Sequence, residues 1–201
     1  MPDAVSSHAI NDEALDRIFR AARSHNAWQD KPVSPALLMA LYDLMRMGPT
    51  SANSSPVRIV FVTSPEAKAR LKPYLSPTNV DKTMSAPVTA ILAYDLKFAE
   101  QMPKLFPARP TMKDMFADPK VAETAAFRNG TLQGGYFIIA ARALGLDCGP
   151  MSGLDNAGVD REFFPDGLLK SNFLCNLGYG APEALFPRNP RLAFDEACKI
   201  I

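Results

Sequence analysis

Five short stretches of this 201-residue chain concentrate side chains able to hold a ligand: ARSHNAW (22–28), GPTSANSSP (48–56), NVDK (79–82), CGPMSG (148–153) and PRNPR (187–191). Arg23, Arg188 and Arg191 suit a phosphate, because a guanidinium donates forked, charge-assisted hydrogen bonds. The four hydroxyls and the Asn between Pro49 and Pro56 suit a heteroaromatic ring whose edge alternates donors and acceptors. A glycine-containing turn such as GPMSG lets backbone N–H groups come close to a ligand. Taken singly, each stretch reads equally well as a solvated loop. Asn79 and Lys82, at i and i+3, can share one exposed helical face, and Arg188 and Arg191 can pair with surface carboxylates and contribute little. Together the five ask for one ligand.

The elements that must position them are partly legible. Leu15, Ile18, Phe19 and Ala22 fall at helical spacing after a possible cap at Asn11, so residues 12–24 read as an amphipathic helix. Ser34 caps a second helix, Pro35 occupies its first turn and Gly48-Pro49 stops it. VRIVFVT (57–63) and VTAILAYD (88–95) read as strands, with a helix opening at Ser64-Pro65-Glu66 between them. Residues 96–120 carry Pro103, Pro107, Pro110 and Pro119 and resist regular structure, which marks a candidate lid. The longest helical segment runs from Val121 to Leu144. Its Gly130, Gly134 and Gly135 each cost about 1 kcal/mol against Ala, unless something must approach the backbone closely. A strand at 174–177 precedes the GYG turn. Helices and strands mix without a strict βαβ alternation, which favours an α+β fold in one domain, 1–201.

Several kinds of chemistry are set aside. There is no G-x-G-x-x-G after a strand and no G-x-x-x-x-G-K-[ST]. His8 and His25 are the only histidines, too few for a histidine-rich metal site, and no G-x-S-x-G elbow exists. Cys148, Cys175 and Cys198 form no C-x-x-C pair, so neither a disulfide framework nor a zinc site is expected, and no other metal is. A net charge of +1 gives no electrostatic pull toward nucleic acid or an anionic membrane. No apolar run reaches the ~20 residues that cross a bilayer. The stretch MPDAVSSHAINDEALD lacks the basic start and apolar run of a signal peptide, so a cytoplasmic location is expected.

In their order the motifs resemble those of the FMN-dependent nitroreductase family: R-S-x-x at Arg23, P-[ST]-S-x-N-x-x-P at Pro49, N-x-x-K at Asn79, G-P-x-x-G at Gly149 and a C-terminal arginine. RSHNAW, AFRNGTLQGGY, ALGLDCGPMSG and NLGYG more closely resemble a branch of malonic-semialdehyde reductases of pyrimidine catabolism. The resemblance implies a nitroreductase-like α+β fold with a small mixed or antiparallel sheet surrounded by helices. It also implies a homodimer with a long interface helix and FMN between the subunits. By that pattern Arg23, Ser24 and Asn26 line one side of the flavin, with Arg191 and Arg188 at its phosphate. Asn79 and Lys82 match the pair at the pyrimidine edge, and Pro150, Ser152 and Gly153 the loop over the reactive nitrogen N5. Pro49, Thr50, Ser51 and Asn53 would reach across from the second subunit, in a loop whose prolines reduce the entropy lost on binding. Three positions depart from the pattern: Ala22 and Asn26 stand where basic residues are common, and Ser152 where Glu is.

The resemblance further implies an oxidoreductase that takes hydride from NADH or NADPH and passes it through flavin N5 to a small acceptor, with no catalytic side chain of its own. The branch suggests reduction of 3-oxopropanoate to 3-hydroxypropanoate. Such a substrate needs a cation for its carboxylate, and Arg109 and Arg128 are the candidates. One alternative is a broad nitroaromatic and quinone reductase with Phe106, Met112, Met115 and Phe116 lining its pocket; these four read equally as a hydrophobic cluster beneath the loop. Another is a flavin-binding protein without turnover.

Overall fold

Alternate residues of a strand point to opposite faces, and β2 (Val88–Asp95) uses both. Ala90 and Leu92 enter one core, and Ile91 and Ala93 enter another. β2 is therefore buried on both sides, at the centre of a sheet with helices above and below. The computed structural model describes residues 9–201. His8 and the first half of the N-terminal segment discussed above lie outside the described residues.

The sheet contains β1 (Val57–Val62), β2, β3 (Asp147–Met151) and β4 (Leu169–Gly178) in the order β1-β2-β4-β3. Every neighbouring pair is antiparallel. Of the mixed or antiparallel sheet expected, the antiparallel form is the one built; parallel pairing among the described residues is confined to the isolated bridge Ser24–Cys148. The strand expected at 174–177 is the C-terminal part of β4, which begins at Leu169.

One face is covered by α2 (Pro35–Met45) and α6 (Pro119–Ala143), which bury Leu38, Leu41, Met45 and Phe137 against Leu92 and Leu177. Ser34 Oγ accepts from Leu37 N at 3.2 Å and Pro35 fills the first turn of α2, as its sequence dictates. The other face carries α3 (Pro65–Leu71) and α7 (Asn156–Phe163), with Leu71 and Val159 packed on Ile91 and Leu174. α4 (Pro77–Ser85) follows α3. α6 is continuous over 25 residues. A methyl at Gly130 would come within 3.1 Å of Tyr94, and one at Gly134 within 2.6 Å of Phe173, so two of the three helical glycines admit the sheet. A methyl at Gly135 would meet nothing within 4 Å among the described residues.

Two expectations are corrected. The first helix ends at Arg20, not 24: α1 (Asp12–Leu15) continues as one π turn over Asp16–Arg20, after which the chain runs extended beside β3. Residues 96–120 are not irregular throughout. They form short helical turns at 98–101, α5 (Met102–Leu105) and 110–116. Met112 and Phe116 pack on Phe98 and Met102, the Phe98 and Phe116 rings meeting edge to face at 4.9 Å. The final helix, α8 (Phe194–Ala197), is a single exposed turn.

Candidate functional site

The extended segment after α1 lies against the outer edge of β3: Ser24 bridges Cys148, and His25 N donates to Cys148 O at 2.9 Å. β3 ends at Met151 and turns through Ser152 and Gly153. There Gly153 O accepts from Ser76 N at 3.1 Å and from the buried Asn79 Nδ2 at 2.8 Å. A methyl at Gly153 would lie 2.7 Å from that Asn79 nitrogen, so the glycine is what allows α4 to sit against the turn. One turn further along α4, Lys82 Nζ stands 3.4 Å from Asn26 Oδ1. The Lys82 carbonyl is fixed by Trp28 Nε1 and Asn176 Nδ2, both at 3.0 Å. Residues 23–26, α4 and the 150–153 turn are thus brought together from three parts of the chain. Asn79 and Lys82 do not share an exposed face: Asn79 is buried and Lys82 half-buried. Burial pushes the Lys82 ammonium below its ordinary pKa.

Beside this junction is a cavity of about 510 Å³ lined by Arg23, Ser24, Asn26, Arg142, Arg188 and Arg191, among others. Arg20 also borders it, but its charge is taken up by Asp12 and Asp16, at 2.8 and 2.5 Å. The other four arginines have no carboxylate within 4.0 Å among the described residues. Arg23 donates to Phe186 O. Arg188 donates to the carbonyls of Arg20 and Ala22, each at 2.9 Å, and Arg191 to those of Asn189 and Pro190. Arg23 and Arg188 thereby pin the C-terminal tail against the segment at residues 20–23. His25 is buried behind it, with Nε2 3.6 Å from Asp147 Oδ1. Burial, and then the nearby Arg23, Arg142 and Arg17, hold His25 below its ordinary pKa, and Asp147 only partly opposes them.

The remaining predicted residues lie elsewhere. Pro49, Thr50, Ser51 and Asn53 belong to a loop fastened to the middle of α6 and to α5, where Ser51 N donates to Asn129 Oδ1 at 2.8 Å and Asn53 Nδ2 to Leu105 O at 2.7 Å. No hydrogen bond joins this loop to the 23–26, α4 and 150–153 group among the described residues. Arg109 and Arg128 are both exposed, the first before the 110–116 turn and the second on α6. Pro150 and Ser152 share a separate cavity of about 330 Å³ with Asn172 and Phe173. Trp28 and Asn176 lie in the motifs ARSHNAW and NLGYG but were given no role of their own, and Arg142 was given none either. A basic residue in the last turn of a helix reads as a complement to its dipole, and nothing in the local pattern points Arg142 at a ligand.

The chain is similar to known proteins along nearly its whole length. The profile of the nitroreductase family matches residues 9–179. A protein of Stenotrophomonas maltophilia strain K279a is 60% identical over 96% of this chain and 99% of its own, and one of Caulobacter sp. strain K31 is 57% identical over 96% and 98%. Both carry the provisional name NADH dehydrogenase/NAD(P)H nitroreductase. Among solved structures, a provisionally assigned nitroreductase from Exiguobacterium sibiricum, crystallised in complex with FMN, superposes with a TM-score of 0.85 at 17% identity, covering 98% of this chain and 100% of that one.

Proposed function

This chain belongs to the nitroreductase family, and on that premise we propose that it is an FMN-dependent NAD(P)H oxidoreductase that reduces a small carbonyl acceptor. The observation that carries the reading is the junction of residues 23–26, Asn79 and Lys82 with the 150–153 turn, next to a cavity walled by four arginines without carboxylate partners. These groups fit a phosphorylated heteroaromatic nucleotide. Such a phosphate would be held by Arg23, Arg188 and Arg191. Asn79 and Lys82 would face the polar edge of the ring, and Ser24, Asn26, Pro150, Ser152 and Gly153 would border it. Bound FMN supplies two-electron transfer between a nicotinamide and an acceptor. The half-buried ammonium of Lys82 favours negative charge in its neighbourhood, and its reduced hydration strengthens that preference.

The active form is proposed to be a homodimer, with Pro49, Thr50, Ser51 and Asn53 completing the site of the second copy. Gly135 supports this: a glycine inside a helix costs about 1 kcal/mol against Ala, and nothing among the described residues comes near enough to require it. Met39, Tyr42 and Met47 on and after α2, with Phe127 and Leu132 on α6, leave apolar surface exposed for the same contact.

The acceptor is proposed to be 3-oxopropanoate, with Arg109 or Arg128 meeting its carboxylate; neither has a carboxylate within 4.0 Å among the described residues. The broad-reductase alternative finds less support, since Met112 and Phe116 are occupied in packing beneath the loop. The test is the visible spectrum of freshly purified protein, followed by NAD(P)H oxidation after reconstitution with FMN. Flavin absorbance and a larger kcat/KM for the aldehyde than for a quinone are expected. Protein that neither carries nor takes up FMN overturns the reading.

A further inference from the structure

Arg142 occupies the last turn of α6, where a cation ordinarily does no more than offset the helix dipole. Its contacts point to a further role. Nη1 donates to Ile18 O at 3.1 Å, which ties α6 to the π turn after α1. Nε is buried and has no hydrogen-bond partner. Arg142 lines the same cavity as Arg23, Arg188 and Arg191 and, like them, meets no carboxylate within 4.0 Å among the described residues. The acids nearby are already engaged: Asp147 by His25, Gly180 N and Arg17, and Asp12 and Asp16 by Arg20.

We propose that Arg142 is a phosphate-binding residue of the cofactor site, walling the cavity from α6 as Arg188 and Arg191 do from the C-terminal tail. The inference rests on the FMN reading above. A phosphate in the cavity would be met by the part of the guanidinium that the Nη1 bond to Ile18 leaves free. Arg142 can therefore brace α1 and hold the anion with different nitrogens, which a lysine cannot do. Binding would in this way couple the cofactor to the end of the longest helix.

The experiment compares dissociation constants for FMN and for riboflavin, which lacks the phosphate, in wild-type protein and in Arg142→Gln, Arg142→Lys and Arg23→Gln. Loss of a charge-assisted bond predicts FMN binding weaker by about tenfold to a hundredfold in Arg142→Gln, with riboflavin binding unchanged. Arg142→Lys, which keeps the charge and spares the fold, is expected in between for FMN alone. Equal weakening of both ligands, or of neither, overturns the proposal and leaves Arg142 as a brace between α6 and α1. If Arg23→Gln separates the two ligands and Arg142→Gln does not, the cavity is the phosphate site and only the role of Arg142 falls. A wild-type protein with no preference for FMN over riboflavin overturns this proposal together with the cofactor reading beneath it.

Discussion

Two regions rich in small polar and cationic groups meet opposite fates in this fold. In the loop from Gly48 to Pro56, three polar groups are bound within the chain, Ser51 N to Asn129, Asn53 Nδ2 to Leu105 O, and Ser55 N to Thr50 Oγ1 at 3.1 Å, while Ser54 Oγ is buried without a partner among the described residues. The following strand is tied in the same way, Val57 N donating to Gln133 Oε1 at 3.0 Å. The backbone bends to achieve this, with positive φ at Ala52, Asn53 and Ser55 (50°, 53° and 40°). Around the arginine cavity, by contrast, Arg23, Arg142, Arg188 and Arg191 donate only to carbonyls and meet no carboxylate within 4.0 Å among the described residues. The loop is a fixed shape; the cavity is a fixed charge. Composition alone does not separate these outcomes, because the partners that decide them lie far along the chain, as Asn129 does for Ser51.

The comparison can be broken most strongly from the cavity side. A methyl at Gly180 would overlap the His25 ring, and His25 is flanked by Ser24 and Asn26. Gly180→Ala is expected to cost about 3 kcal/mol, at the upper end for overpacking, and to abolish FMN retention. Hydrogen exchange in the 48–56 loop should remain as in the wild type. Denaturant melts, flavin content and exchange protection check the three parts of this outcome.

A smaller effect is expected from Asn53→Ala, which removes the bond to Leu105 O and leaves an alanine at positive φ. A stability loss of about 1–2 kcal/mol follows. If the loop serves the ring of the second copy's cofactor, FMN and riboflavin weaken together. The cavity variants weaken FMN alone, so one pair of ligands distinguishes shape from charge.

The smallest expected effect is a pH dependence. His25 has a folded pKa below its ordinary value, chiefly through burial. The unfolded chain therefore binds this proton more readily, and stability falls as pH drops from the ordinary value of about 6.5 toward the folded one. Below the folded value the loss is complete. The charged groups about the ring are Asp147 on β3, Arg23 in its own segment, Arg142 on α6 and Arg17 in the π turn. His25→Gln should flatten the dependence of the urea midpoint between neutral pH and about pH 5.

What was legible in the sequence had local causes. The Ser34–Pro35 start of α2, the β-branched run of β1 and the apolar β2 follow from caps and propensities and are built as read. β3 was not legible. It contains Gly149 and Pro150, and it forms because β4 and the 24–26 segment pair with it; a proline is tolerated at a sheet edge. α7 hides Gly158, whose missing side chain makes room for Tyr74. The motifs at 23–26, 79–82 and 150–153 converge because pairing and capping bring them together, whereas Arg142 carries no signal in its own neighbourhood. The loop at 48–56 was recognised by its composition, and its left-handed turns depend on α6, a contact no local pattern announces.

The bridge between Ser24 and Cys148 has one more consequence. β3 is one of the two terminal strands of the sheet, and an uncovered terminal strand is a template onto which other chains can add. The segment that shields it here is the same one that borders the proposed cofactor. Emptying the cavity therefore loosens a guard as well as a binding site, and the cofactor-free protein should form aggregates at lower temperature than the loaded one, with light scattering rising before the helices melt.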